Sequence, residues 1–175
     1  MKKILFFLGF AIALAGCSED PATPAENGTE STQVSLVGTW NLEKLVQENG
    51  KISLMGTVLS TFTSESSEET GTVQFTEDGN FGSNFGYKSA MTIVTAGQPI
   101  NSEQDVPPTP IGGTYTHDAA ANTFTVTQFD GTVAVANITS LTANELIYTT
   151  QINTVVENGG FSNIVTADVT TTLSR

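Results

Sequence analysis

The chain has 175 residues, 18 acidic against six basic for a net charge of −12, and one cysteine. A surface this acidic repels phosphate backbones and anionic headgroups, which excludes nucleic acid as a partner. A single cysteine excludes any disulfide within the chain.

Met1-Lys2-Lys3 precedes an apolar run from Ile4 to Ala15, broken only by Gly9, and Gly16-Cys17 follows. A helix needs about 20 apolar residues to cross roughly 30 Å of hydrocarbon, and this run is about a dozen. Residues 1–16 therefore read as a signal peptide that targets the chain without anchoring it. Leu14-Ala15-Gly16-Cys17 resembles a bacterial lipobox. That resemblance implies cleavage before Cys17 and acylation of its thiol by a diacylglyceryl group, usually with a third N-linked chain of the palmitate type. The alternative is an ordinary secretory signal with an incidental thiol; the position of Cys17 and its being the sole cysteine favour lipidation. Two or more chains hold firmly, since each buried CH₂ contributes about 0.8 kcal/mol. Loss of Lys2 and Lys3 with the signal leaves four basic against eighteen acidic residues, a mature charge of −14.

From Ser18 to Gln33 there is no large apolar residue, so this Thr-, Glu-, Pro- and Ala-rich stretch cannot bury enough surface to fold. Residues 17–33 thus form the lipidated cysteine and a disordered acidic linker, which reaches at most about 50 Å when extended. Ser18-Glu19-Asp20 resembles the surface-export signal of Bacteroidota lipoproteins. The resemblance implies placement in the outer membrane and, further, at the cell surface.

Residues 34–175 make one domain, long enough to bury roughly two-thirds of its unfolded surface. Thr, Val, Ile, Phe and Ser dominate it, with Gly, Asn, Asp and Pro at intervals, which predicts β-strands separated by turns. Nine strands are expected: 39–47, 51–63, 70–76, 81–95, 114–117, 123–129, 132–141, 145–156 and 161–173. Asn49-Gly50, Asp78-Gly79-Asn80, Asp130-Gly131 and Asn158-Gly159-Gly160 supply residues that tolerate positive φ in tight hairpins. Ala96 to Gly113, with Pro99, Pro107, Pro108 and Pro110, is expected to be a long surface loop, and Ser64 to Glu69 a second, acidic one. In Thr123-Phe124-Thr125-Val126-Thr127 the alternation gives one buried and one wet face. Sequential antiparallel strands with one buried face must roll into a barrel or double into a sandwich, because open edges aggregate.

Leu36-Val37-Gly38-Thr39-Trp40-Asn41-Leu42 places a Gly-x-Trp at the start of the first strand, and this resembles the lipocalin signature. The run from Gly71 to Phe81 resembles the apolar-x-Phe, turn, Asp-Gly-x-Phe hairpin of lipocalin-like lipoproteins of the Bacteroidota type. Gly113-Thr114-Tyr115, 122–126 and 138–146 follow in the order such domains show. The resemblance implies a barrel of about eight to nine strands, in which Trp40, next to Gly38, closes one end and Arg175 packs across it. The C-terminal helix of many lipocalins has no counterpart.

Little in the chain suggests catalysis. His117 is the only histidine, so no multi-histidine zinc site exists; no Ser-His-Asp arrangement stands out around it, and it reads as a strand-end residue near solvent. Glu65, Glu68, Glu69, Glu77 and Asp78 lack ordered calcium-loop spacing and read as solvated, while Asp118 and Asp130 read as turn residues. No phosphate loop or other cofactor motif is present. Two matches to the glycosylation pattern, at Asn27 and Asn137, are discounted in a bacterial lipoprotein. The expectation is a non-enzymatic module that binds a small hydrophobic or amphipathic ligand in its barrel. Phe75, Phe81, Phe85, Tyr115, Phe124 and Tyr148 are the expected lining. A second expectation is an envelope or surface protein without a cavity, binding a protein or glycan.

Overall fold

The structure, a computed structural model, describes residues 34–158 and 161–175, so the signal peptide, Cys17 and the linker lie outside the described residues. Nine strands account for most of these residues: β1 Gly38–Leu54, β2 Thr57–Thr70, β3 Thr72–Phe75, β4 Asn80–Thr95, β5 Gln98–Asp118, β6 Thr123–Gln128, β7 Val133–Leu141, β8 Glu145–Asn158 and β9 Phe161–Ser174. All pair antiparallel within a single sheet. From β3 to β9 each strand pairs with its successor, and β9 returns to pair with β1 from Asn41 to Leu54. The sheet thereby closes on itself as a ring, so the core is enclosed by one curled sheet and not pressed between two, as a sandwich would require.

β2 and β3 share one place in that ring. The first half of β1 pairs with β3 and the second half with β2, and β4 divides between the same two strands. The bend between them falls at Gly71, where φ is +90° and an added Cβ would lie 1.7 Å from the Asn84 carbonyl oxygen. Across the bend, Leu42 N–H donates to the Gly71 carbonyl at 3.3 Å and Leu45 N–H to Ser66 Oγ at 2.7 Å, so a side chain replaces a missing ladder acceptor. Counted this way, the wall has about eight staves, a number whose interior holds side chains and at most one small ligand.

Three local expectations are corrected. Asn49-Gly50 is not a hairpin turn but a β-bulge inside β1: Asn49 has φ +52°, and the register slips by one residue against both β2 and β9. A single residue at positive φ suits a bulge; the turn falls at Met55-Gly56, where both residues have positive φ, +50° and +81°. Ser64 to Glu69 is not a loop but part of β2. Its carboxylates are engaged along the strand: Glu65 pairs with Lys44, Glu68 with Lys88, and Glu69 accepts a hydrogen bond from Ser66 Oγ. Finally, Ala96 to Gly113 is not a loop: Ala96-Gly97 is a two-residue turn, and β5 runs back along β4 from Gln98. Its prolines are tolerated because β6 reaches only Gly113–Asp118, so the stretch that carries them, Pro99 to Pro110, pairs with β4 alone and loses no ladder bond on the other side. The register also slips opposite Phe85 and Tyr87, where Pro107-Pro108 sits.

The expected turns at Asp78-Gly79-Asn80 and Asp130-Gly131 form, while the two glycines of that at Asn158-Gly159-Gly160 lie outside the described residues. Gly79 has φ +77° in the β3–β4 hairpin, Asp118 Oδ1 accepts the Ala120 and Ala121 N–H groups, and Asp130 Oδ1 accepts that of Thr132.

Strand lengths are uneven. β6 and β7 are short beside β4 and β5, β5 before Gly113 pairs only with β4, and β8 beyond Thr150 pairs only with β9. One end is therefore sealed by a core of Leu36, Trp40, Leu42, Val73, Phe75, Phe81, Phe124, Ala136, Leu146 and Leu173. The wall is open between β5 and β8 towards the other.

Candidate functional site

Alternation along the strands sends one residue in two to the interior, and at the sealed end these residues meet as a packed layer. Trp40 is fully buried, and its indole N–H donates to the Leu36 carbonyl at 2.8 Å, folding the segment before β1 across the end of the ring. The guanidinium carbon of Arg175 lies 4.0 Å from the Trp40 ring centroid, while its nitrogens donate to the carbonyls of Ala143, Val37 and Ser35. A Cβ at Gly38 would come within 2.8 Å of that guanidinium, and the φ of +138° there is one that L side chains rarely adopt, so a substitution would be strained.

Above this layer, Tyr115, Phe75, Phe124 and Tyr148 form a chain of edge-to-face rings with centroid separations of 4.9, 5.6 and 5.0 Å. Each such pair contributes about 0.5–1.5 kcal/mol beyond area burial, which makes a stiff floor. Over that floor lies a cavity of about 310 Å³ inside the ring, open to solvent. Its walls carry Phe75, Phe81, Phe85, Phe124 and Tyr148 from the expected set, together with aliphatic residues such as Leu45, Val73, Val126, Ala136, Ile152 and Val169. Tyr115 is the exception: it stands behind Phe75, and its hydroxyl donates to the Thr76 carbonyl at 2.9 Å, which holds the ring out of the lining.

Sequence reasoning missed the polar part of the wall. Gln47 on β1, Ser83 and Tyr87 on β4, Gln128 on β6, Thr150 on β8 and Thr171 on β9 also line the cavity. Gln128 continues the Phe124, Val126 alternation, so extending that pattern by two residues finds it. Gln47 and Thr150 are directly opposite Val169 on its two neighbouring strands, which puts all three on one face. Burial pushes the Tyr87 and Tyr148 hydroxyls above their usual pKa, so both remain neutral donors throughout the physiological range.

His117 is exposed at the sealed end, beside a hollow of about 340 Å³ lined by Val34, Ala119, Asn122 and the end of β7. No acid or nucleophile lines that hollow besides Thr139 and Ser140. Among the described residues no group of three His, Cys, Asp or Glu side chains could hold a metal ion, and no helix is long and apolar enough to cross a membrane.

Comparison with known families places this architecture. Residues 36–148 match the model of the lipocalin-like domain, well over half of the 175-residue chain. The chain belongs to the lipocalin-like domain family. In this lipocalin-like barrel the matched segment stops within β8, yet β9 beyond it closes the ring and supplies Val169 and Thr171 to the cavity and Leu173 to the core. Residues 1–18 match a prokaryotic membrane lipoprotein lipid attachment site, so the lipocalin-like domain belongs to a membrane-anchored lipoprotein. No curated protein and no solved structure gives a significant match.

Proposed function

We propose that this lipoprotein is a non-catalytic binding protein that holds a small apolar or amphipathic molecule inside its barrel. In this reading Cys17 carries the lipid, in the bacterial outer membrane. One observation supports the ligand: the interior above the aromatic floor is not filled by side chains, and the short β6 and β7 leave an entrance to it. A cavity of about 310 Å³ is at the lower end of the range for small-molecule sites, and its mostly apolar wall with a few polar groups is the usual make-up of such sites. The lone, exposed His117 favours binding over turnover, since a catalytic site needs partners within reach.

Titration of the full chain carrying Cys17→Ser with a neutral solvatochromic dye tests the cavity. Saturable, blue-shifted emission is expected, and loss of it in Thr150→Trp, which puts a bulky side chain on the cavity wall. A signal that does not saturate, or that survives Thr150→Trp unchanged, overturns the reading. Mass spectrometry of Cys17 from native membranes tests the anchor separately.

A further inference from the structure

We infer that this cavity selects by charge, taking uncharged amphiphiles and rejecting carboxylates and phosphates of the same chain length. The inference rests on the ligand-binding reading above and concerns which class of molecule that site accepts.

The lining contains no carboxylate and no cationic side chain; its polar groups are amides and hydroxyls, among them Gln47, Ser83, Tyr87, Gln128, Thr150 and Thr171, and its two phenols are neutral in the physiological range. Such groups donate and accept hydrogen bonds to a hydroxyl, amide, ester or ether head, but they cannot neutralise an anion. An unpaired charge moved out of water costs several kcal/mol even after relaxation, so a head buried among neutral groups must itself be neutral.

Cations elsewhere do not compensate. Four Lys and Arg residues lie among the described residues, and each is committed away from the cavity. Lys44 pairs with Glu65, and Lys88 with Glu68 at 2.6 Å. Lys51 faces Asp168, whose carboxyl it helps to hold ionised, and Arg175 is stacked on Trp40 at the sealed end. His117 is exposed at that same end.

The opposite orientation, with an anionic head left at the entrance, is no better. Two residues beyond Gln128 the β6–β7 turn carries Asp130, whose carboxylate is held by the Thr132 N–H. The acidic excess of the whole chain adds a field of the same sign, effective within about 8 Å at physiological salt. Neither end of the cavity therefore offers an anion a partner. The volume, equivalent to the share of roughly ten waters at about 30 Å³ each, suits a single medium-length chain.

Displacement of the neutral dye from the Cys17→Ser chain at pH 7.5 by decanol, methyl decanoate and decanoate tests this. The two neutral compounds should compete at least tenfold better than decanoate. Gln47→Lys, which places a cation on the wall, should narrow that gap by raising decanoate affinity; Gln128→Lys serves the same purpose should the first variant not fold. Equal competition by decanol and decanoate, or no gain for decanoate in a folded lysine variant, overturns the charge selection while leaving ligand binding intact. Failure of the dye itself to saturate removes the ligand-binding reading, and the charge selection with it.

Discussion

Removal of the Arg175 side chain should loosen the sealed end of the barrel by about 2 kcal/mol. A guanidinium stacked on an indole with its far side in water contributes about 0.5–1 kcal/mol, and here the ring lies 4.0 Å away. Two of its carbonyl bonds, 2.6 Å to Ala143 and 2.9 Å to Val37, add about 0.5 kcal/mol each, near the low end for net hydrogen bonds because solvent competes for them. For a domain of this size, Arg175→Ala should then lower the melting temperature by roughly 4–8 °C. Arg175→Lys should recover only part of this, since an ammonium keeps the charge but loses the planar stack and the forked donors. Trp40 is the sole tryptophan, so its emission in a urea titration reports this end of the barrel directly. A double-mutant cycle with Trp40→Phe, followed by circular dichroism, should return a coupling of about 0.5–1 kcal/mol. An Arg175→Ala protein within about 0.5 kcal/mol of the parent, with unshifted tryptophan emission, would refute the assignment of Arg175 as the clasp of that end.

Gly71→Ala should cost at least about 2 kcal/mol in chemical denaturation, because a Cβ 1.7 Å from the Asn84 carbonyl forces β3 and β4 apart at a φ of +90°. Phe124→Ala removes the centre of the aromatic floor and should destabilise by about 3–5 kcal/mol while admitting longer ligands, measured by dye displacement with an alcohol series. Asp168 is held below the ordinary carboxylate range by hydrogen bonds from Asn49 at 2.8 Å and Gln151 at 3.2 Å. Its contribution is present above about pH 4, where the unfolded carboxyl is ionised, and is lost as pH falls through the lower folded value. Melting curves of Asp168→Asn and the parent should therefore converge as pH drops below about 4 and separate above it. Neutral-ligand affinity should stay flat from about pH 6 to 9, because burial raises the Tyr87 and Tyr148 pKa values away from that window and no other lining group titrates.

Local chemistry determined the all-β class. Threonine, valine and phenylalanine at period two, and the Asp78-Gly79 and Asp130-Gly131 turns, act over a few residues, and the fold kept them. The Gly-x-Trp start of β1 likewise marked the strand whose Trp40 seals the ring. Tertiary structure decided what short-range preference leaves degenerate. Asn49-Gly50 can serve a hairpin or a bulge, and pairing of β1 with both β2 and β9 made it a bulge. Four prolines argue against a central strand but not against an edge, and only the shortness of β6 shows that β5 has a free edge there. The acidic Ser64–Glu69 run becomes a strand because β4 pairs along it, and that pairing also brings Lys88 beside Glu68. The neutral lining of the cavity belongs to this second group, since it depends on residues from strands more than a hundred positions apart meeting on one inner face. Periodicity assigns a residue to a face, whereas closure of β9 onto β1 determines which faces enclose a common space.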